Sequence, residues 1–87
     1  MTLEIISPEK VFFKGEVEII IVPGTKGQFT VLPHHAPIIS ALSKGDVIYV
    51  IDDKNNRLAI ESGFIEVHKD AVSICVEQLA VEKDKAE

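Results

Sequence analysis

One cysteine, one tyrosine and no tryptophan occur in these 87 residues, and no apolar run approaches the roughly 18 residues that a membrane-crossing helix needs. A single thiol excludes an internal disulfide. Cys75 lies in the alternating run Val72-Ser73-Ile74-Cys75-Val76 and reads as a small core or near-surface residue, not as a reactive group. Positive charge is also scarce: nine Lys and Arg stand against fourteen Asp and Glu, a net charge of −5, with no local basic cluster. Phosphate backbones would be repelled, so a nucleic-acid role is set aside. No charged start leads into an apolar stretch of signal-peptide type, so a cytosolic chain is expected. Helical periodicity is missing everywhere before Glu77.

What is plentiful is apolar. A chain of this length makes one domain, which buries about 60 to 65% of the surface its unfolded form exposes. Hydrophobic residues make up 46% and charged ones 26%, with a mean hydropathy of +0.20. That is more than so small an interior hides, and it predicts apolar surface that meets a partner.

Residues 23–37, Pro-Gly-Thr-Lys-Gly-Gln-Phe-Thr-Val-Leu-Pro-His-His-Ala-Pro, hold three of the four prolines, two glycines and two adjacent histidines. Proline fixes φ and removes a donor, whereas glycine accepts φ > 0 at little steric cost. The segment predicts a rigid corner with a short strand, Gln28 to Leu32, inside it. Around it the chain reads as short strands. Leu3–Ser7 ends at Pro8, Val11–Phe13 closes at Lys14-Gly15, and Val17–Val22 runs to the corner. In that third run Ile19, Ile20 and Ile21 place bulk on both faces, which suits a central strand covered on both sides or one whose outer face meets another protein. Ile38–Leu42, Asp46–Ile51, Arg57–Glu61, Phe64–His68 and Ala71–Val76 follow, with a hairpin loop at Asp52–Asn56 and a break at Ser62-Gly63. The expected fold is all-β, a flattened sandwich or barrel of about ten short strands. The sandwich is expected over residues 1–78, with a short charged tail over 79–87; the residues from Glu77 onward could form one helical turn or fray.

No catalytic constellation emerges. His34 and His35 are neighbours in an extended corner and point to opposite faces, and His68 is distant in sequence, so a shared metal is not expected. None of the serines sits in a glycine-flanked elbow, and Gly24 and Gly27 open a strand where a phosphate loop would open a helix. One alternative is a lipoyl or biotinyl carrier domain modified at Lys54, on the Asp52–Asn56 hairpin; a plain polar turn is the simpler account of that loop.

The run Pro23-Gly24-x-x-Gly27-x-x-x-Val31-Leu32-Pro33-x-His35-Ala36-Pro37-Ile38-Ile39 resembles the signature of the epsilon subunit of F-type ATP synthases, the counterpart of the mitochondrial delta subunit. Ser7-Pro8-Glu9 with Val11-Phe12 and Gly15-Glu16-Val17 is similar to that family's opening strands, and Gly63-Phe64-Ile65-Glu66-Val67 to a late one. The three blocks span residues 3 to about 76.

The resemblance implies an amino-terminal β-sandwich at the foot of a rotating central stalk, without chemistry, cofactor or small-molecule substrate of its own. It implies two partners, the gamma subunit and the polar loops of the c-ring, with membrane contact only through the complex, on the cytoplasmic face of a bacterial cell membrane. By position, the gamma side would comprise Ser7, His35, Ala36, Pro37, Ile38, Ile39 and Ser40, and the ring side Lys26, Gly27 and Gln28. Many members carry a carboxylate where Gln28 stands, so a charged contact there is not implied. Most members continue as a helical hairpin able to brake the motor and bind nucleotide. With no such hairpin after the sandwich, the expectation is coupling without a latch.

Overall fold

The structure, a computed structural model, describes residues 1–79. It holds eight strands: β1 (Thr2–Ile6), β2 (Val11–Glu16), β3 (Ile19–Gly24), β4 (Gly27–Val31), β5 (Ile38–Leu42), β6 (Gly45–Ile51), β7 (Lys54–His68) and β8 (Ala71–Leu79). The expected all-β class is what is found, and no helix occurs among the described residues. Two anticipated breaks are not breaks, and one of them merges two expected strands into one. Pro23 lies within β3, opposite Gln28 of β4. Ser62-Gly63 lies within β7, which runs for fifteen residues.

β7 is what makes the sheet into a sandwich. Its first half pairs with β6, from Lys54 opposite Ile51 to Ile60 opposite Gly45. Its second half lies between β5 and β8. The β8 register shifts between Ile60 and Ser62 and again between Ser62 and Gly63. Such an irregularity bends a strand and raises its twist, and here it carries β7 from one layer to the other. A side chain at 63 would force the backbone to shift, since a Cβ there would come within 2.5 Å of the Cys75 carbonyl oxygen. One layer then reads β2-β1-β8-β7-β5, with β1 and β8 parallel, and the other β4-β3-β6-β7.

The core lies between the layers and is aliphatic. Leu3, Ile5, Ile65, Ile74 and Val76 from the first layer, and Ile20, Val22, Val31, Val47 and Ile60 from the second, are buried almost completely. Phe12, Phe13, Phe29 and Tyr49 pack at its margin. β-branched side chains dominate, which suits a pleated surface. Each buried Ile or Leu contributes about 1.5 to 3 kcal/mol over leaving it exposed. The isoleucine run of β3 resolves as a central strand between β4 and β6: Ile20 and Val22 are buried, while Ile19 and Ile21 are half-buried on the other side.

The β6–β7 hairpin is tighter than expected. Asp52 and Asp53 both take positive φ, 49° and 64°, the pattern of a two-residue type I′ turn, and Ile51 pairs directly with Lys54. Asp tolerates this conformation better than most side chains do. Lys54 is therefore the first residue of β7, and the tip belongs to the two aspartates. That corrects the geometry on which the carrier alternative was built. β8 runs to Leu79, opposite Ile60, so Glu77–Leu79 are strand where a helical turn or fraying was the expectation. The remainder of the expected tail lies outside the described residues.

Candidate interaction surface

The corner joining β4 to β5 is a tight turn followed by an extended approach. The His35 N–H donates to the Leu32 carbonyl at 3.2 Å, with Pro33 second in the turn and His34 third at φ 67°. Proline second, positive φ third and a first-to-fourth hydrogen bond form the type II pattern. The His34 N–H donates to Oδ1 of Asp70, in the β7–β8 turn, at 3.1 Å. The His34 ring is largely exposed, with Nδ1 4.0 Å from that same oxygen. His35 turns elsewhere, its Nδ1 lying 2.7 Å from the Ala36 carbonyl. The two rings thus have separate partners.

Beyond the corner, β5 presents Ile39 outward, 76% exposed, while Ile38 and Ser40 fall on the half-buried side. The Ser40 hydroxyl donates to the Ala41 carbonyl at 3.1 Å. His35 through Ser40 therefore form one continuous edge. Ser7 lies apart from it: it follows Ile6, which pairs with Cys75, which pairs with Phe64, which pairs with Ala41. Two strands separate Ser7 from β5. Locally, Ser7 Oγ accepts the N–H groups of Glu9 and Lys10, both at 3.3 Å, closing the turn before β2.

That chain of pairings exposes a feature missed in the sequence. Val11, Ile6, Cys75, Phe64 and Ala41 stand in register on five adjacent strands. All five lie on the outer face, with Val11 57% and Phe64 47% exposed and Ile39 two residues from Ala41 on the same side. The next row, Lys14, Glu4, Ser73 and Glu66, is polar up to Ile39. The following one carries Glu16, Thr2, Ala71 and His68. An apolar band across a whole sheet, bordered by charge, has the composition of an interface core beside its rim. Alternation in Phe64-Ile65-Glu66-Val67 could have shown that Phe64 opposes the core residues; the alignment of five strands could not be read from the sequence.

Lys26, Gly27 and Gln28 occupy the β3–β4 hairpin, with Gly24 opposite Gly27. Gly27 takes φ 127°, which a side chain rarely adopts, and all three residues are exposed. Gly24 has no room for a Cβ, which would come 2.8 Å from the Gly27 carbonyl oxygen. The hairpin leans on β5 through the Thr25 N–H, which donates to the Ala41 carbonyl at 3.1 Å. An open cavity of about 530 Å³ results, walled by residues 24–29 on one side and 38–41 on the other. Lys26, Gly27 and Gln28 thus share a groove with Ile38, Ile39 and Ser40, while Ser7, His35, Ala36 and Pro37 do not line it.

At the opposite margin, Glu16 of β2 accepts the Thr2 hydroxyl at 2.8 Å and the amino-terminal ammonium at 3.1 Å. The Thr2 bond first, then the ammonium, hold its pKa below its ordinary value, against smaller opposing effects of desolvation and of Asp70. This is a surface clasp at the sheet edge.

Comparison with known proteins agrees with this architecture. The family described as the ATP synthase delta/epsilon chain beta-sandwich domain matches residues 1–82. The ATP synthase epsilon chain of Leptospira borgpetersenii serovar Hardjo-bovis (strain JB197) is 39% identical over 84 residues, covering 97% of this chain and 66% of its own length. That of Desulfitobacterium hafniense (strain DSM 10664 / DCB-2) is 38% identical over 73 residues, covering 84% and 55%. Among solved structures, a chain of the Euglena gracilis mitochondrial ATP synthase (OSCP/F1/c-ring) superposes with a TM-score of 0.83 at 21% identity, over 95% of this chain and 56% of that one. A chain of the Tetrahymena thermophila central stalk/c-ring assembly gives 0.79 at 14%, over 97% and 68%. At those identities the two structures speak for the fold alone. The chain spans less than two thirds of the length of these two epsilon chains, and it belongs to the ATP synthase delta/epsilon chain β-sandwich domain family.

Proposed function

We propose that this domain is a non-catalytic rotor component of a proton-translocating F-type ATP synthase, linking the gamma subunit to the c-ring and so coupling proton flow to ATP synthesis. The observation that carries this reading is the apolar band Val11, Ile6, Cys75, Phe64 and Ala41, with Ile39 at its end. A monomer has no use for such a row in water, whereas a specific interface buries about 800 Å² per partner around a few apolar anchors.

In this reading gamma covers the band and the edge from His35 to Ser40, with Ser7 at the far margin. Glu4 and Glu66 favour basic groups around gamma's apolar centre, with Lys14 the one opposite charge in their row. The ring-side contact is made by Lys26, Gly27 and Gln28 on the β3–β4 hairpin, with Gln28 offering hydrogen bonds and no charge. The groove that the hairpin shares with β5 makes a contact at one side mechanically continuous with the other. The domain performs no chemistry itself, and it sits on the cytoplasmic face of a bacterial cell membrane, held there by the complex.

The test is reconstitution. Added to membranes stripped of their own epsilon subunit, the chain is expected to bind gamma and to restore proton-driven ATP synthesis. A folded chain that leaves synthesis unrestored and does not bind gamma overturns the reading.

A further inference from the structure

The third position of the corner turn demands φ > 0, where glycine is unstrained and a side chain is not. His34 occupies it at φ 67°. Packing does not compensate, because the side chain is 86% exposed. Two hydrogen bonds act on the turn. One, from the His35 N–H to the Leu32 carbonyl, is the bond any such turn makes. The other, from the His34 N–H to Asp70 Oδ1 at 3.1 Å, comes from 36 residues further along the chain.

Asp70 is well placed to hold a strained neighbour. It lies in a two-residue turn between paired residues His68 and Ala71, with Lys69 at φ 57°. Its own carbonyl accepts the Thr2 N–H at 2.9 Å, which ties the turn to the start of β1. One residue thus joins β1 and the β7–β8 turn through its backbone, and the corner through its carboxylate.

We propose that Asp70 is a positioning residue of the partner-facing surface: by holding the His34 N–H it keeps the turn at positive φ and sets the direction in which His35, Ala36 and Pro37 approach β5. The partner-facing part rests on the function proposed above, while the effect on the corner is measurable in the free chain. A charged acceptor on an ordered base does what glycine would otherwise do through conformational freedom. It also adds rigidity, which lowers the ordering cost of binding.

The test uses Asp70→Ala, Asp70→Asn and the double variant Asp70→Ala with His34→Gly in the full chain. Amide exchange and backbone chemical shifts are read by NMR in the free protein, and gamma binding is measured alongside. Asparagine keeps an oxygen acceptor and alanine does not. In Asp70→Ala, exchange at His34 and His35 is expected to accelerate about five-fold, and gamma affinity to fall by about the same factor. Exchange at Ile74, in the core of β8, is expected to stay unchanged, which separates a local effect from unfolding. Asp70→Asn is expected to stay near wild type, and His34→Gly to restore binding in the alanine background, since glycine reaches φ > 0 unaided. Unchanged exchange and shifts at His34 and His35 in Asp70→Ala would overturn the proposal and leave Asp70 a solvated turn residue. A looser corner with unaltered gamma affinity would overturn its link to docking. If the corner loosens but wild type itself does not bind gamma, the proposed function fails while the hold of Asp70 on the corner stands.

Discussion

Phe64 of β7 stands directly opposite Cys75 of β8 on the outer face, while their neighbours Ile65 and Ile74 oppose each other in the core. One ladder therefore carries an outward-facing pair and a packing pair side by side. Phe64→Ala is expected to leave the fold within about 0.5 kcal/mol of wild type, as exposed substitutions usually do. Ile65→Ala removes a fully buried side chain and is expected to cost about 2 to 5 kcal/mol. Urea denaturation midpoints of the two variants check this. A large loss for Phe64→Ala would place its ring in the core's service.

Ile39, the most exposed of the large apolar side chains described, tests the proposed partner surface most cleanly. Ile39→Asp is expected to fold normally and to weaken gamma binding by about 2 kcal/mol or more, because a charge at an apolar anchor is desolvated without a partner. Titration calorimetry against isolated gamma measures it. Wild-type affinity in a folded variant would move the contact away from β5.

Gly63 allows the close passage of β7 over β8. A Cβ there would meet the Cys75 carbonyl oxygen at 2.5 Å and the Val76 Cα at 3.4 Å, both backbone atoms that cannot swing aside. Gly63→Ala is expected to destabilise by about 1 to 3 kcal/mol through forced backbone displacement. Thermal melting checks it, and a variant as stable as wild type would mean that the bend of β7 tolerates a wider spacing.

The Glu16 clasp sets a pH dependence whose sign follows from its lowered pKa. Its stabilising contribution is full above the unfolded-state value near 4.5 and disappears as pH falls through the lower folded-state value. Glu16→Gln is therefore expected to be less stable than wild type at neutral pH, with the gap closing in acid. Denaturant midpoints across that range decide it, and a gap independent of pH would assign the effect to the Thr2 hydrogen bond alone and not to charge.

The amino-acid sequence by itself determined the class of this protein and the position of its corner. Alternating apolar residues, as in Val72-Ser73-Ile74-Cys75-Val76, dictate strands because successive side chains fall on opposite faces. Prolines and glycines at residues 23–37 mark the corner because they act on φ locally. Such effects reach only a few residues, and they are legible for that reason. What depends on distant partners was decided by the tertiary structure. Ser62-Gly63 looked like a stop, but pairing with β8 turned it into a bend. Asp52-Asn56 looked like a five-residue loop, but the β6–β7 register tightened it to two aspartates. The apolar row exists only because five strands align Val11, Ile6, Cys75, Phe64 and Ala41, each unremarkable in its own segment. His34 at positive φ depends on a carboxylate 36 residues away. Register and long-range hydrogen bonding are properties of which segments meet, and one strand's side-chain pattern does not specify its neighbour.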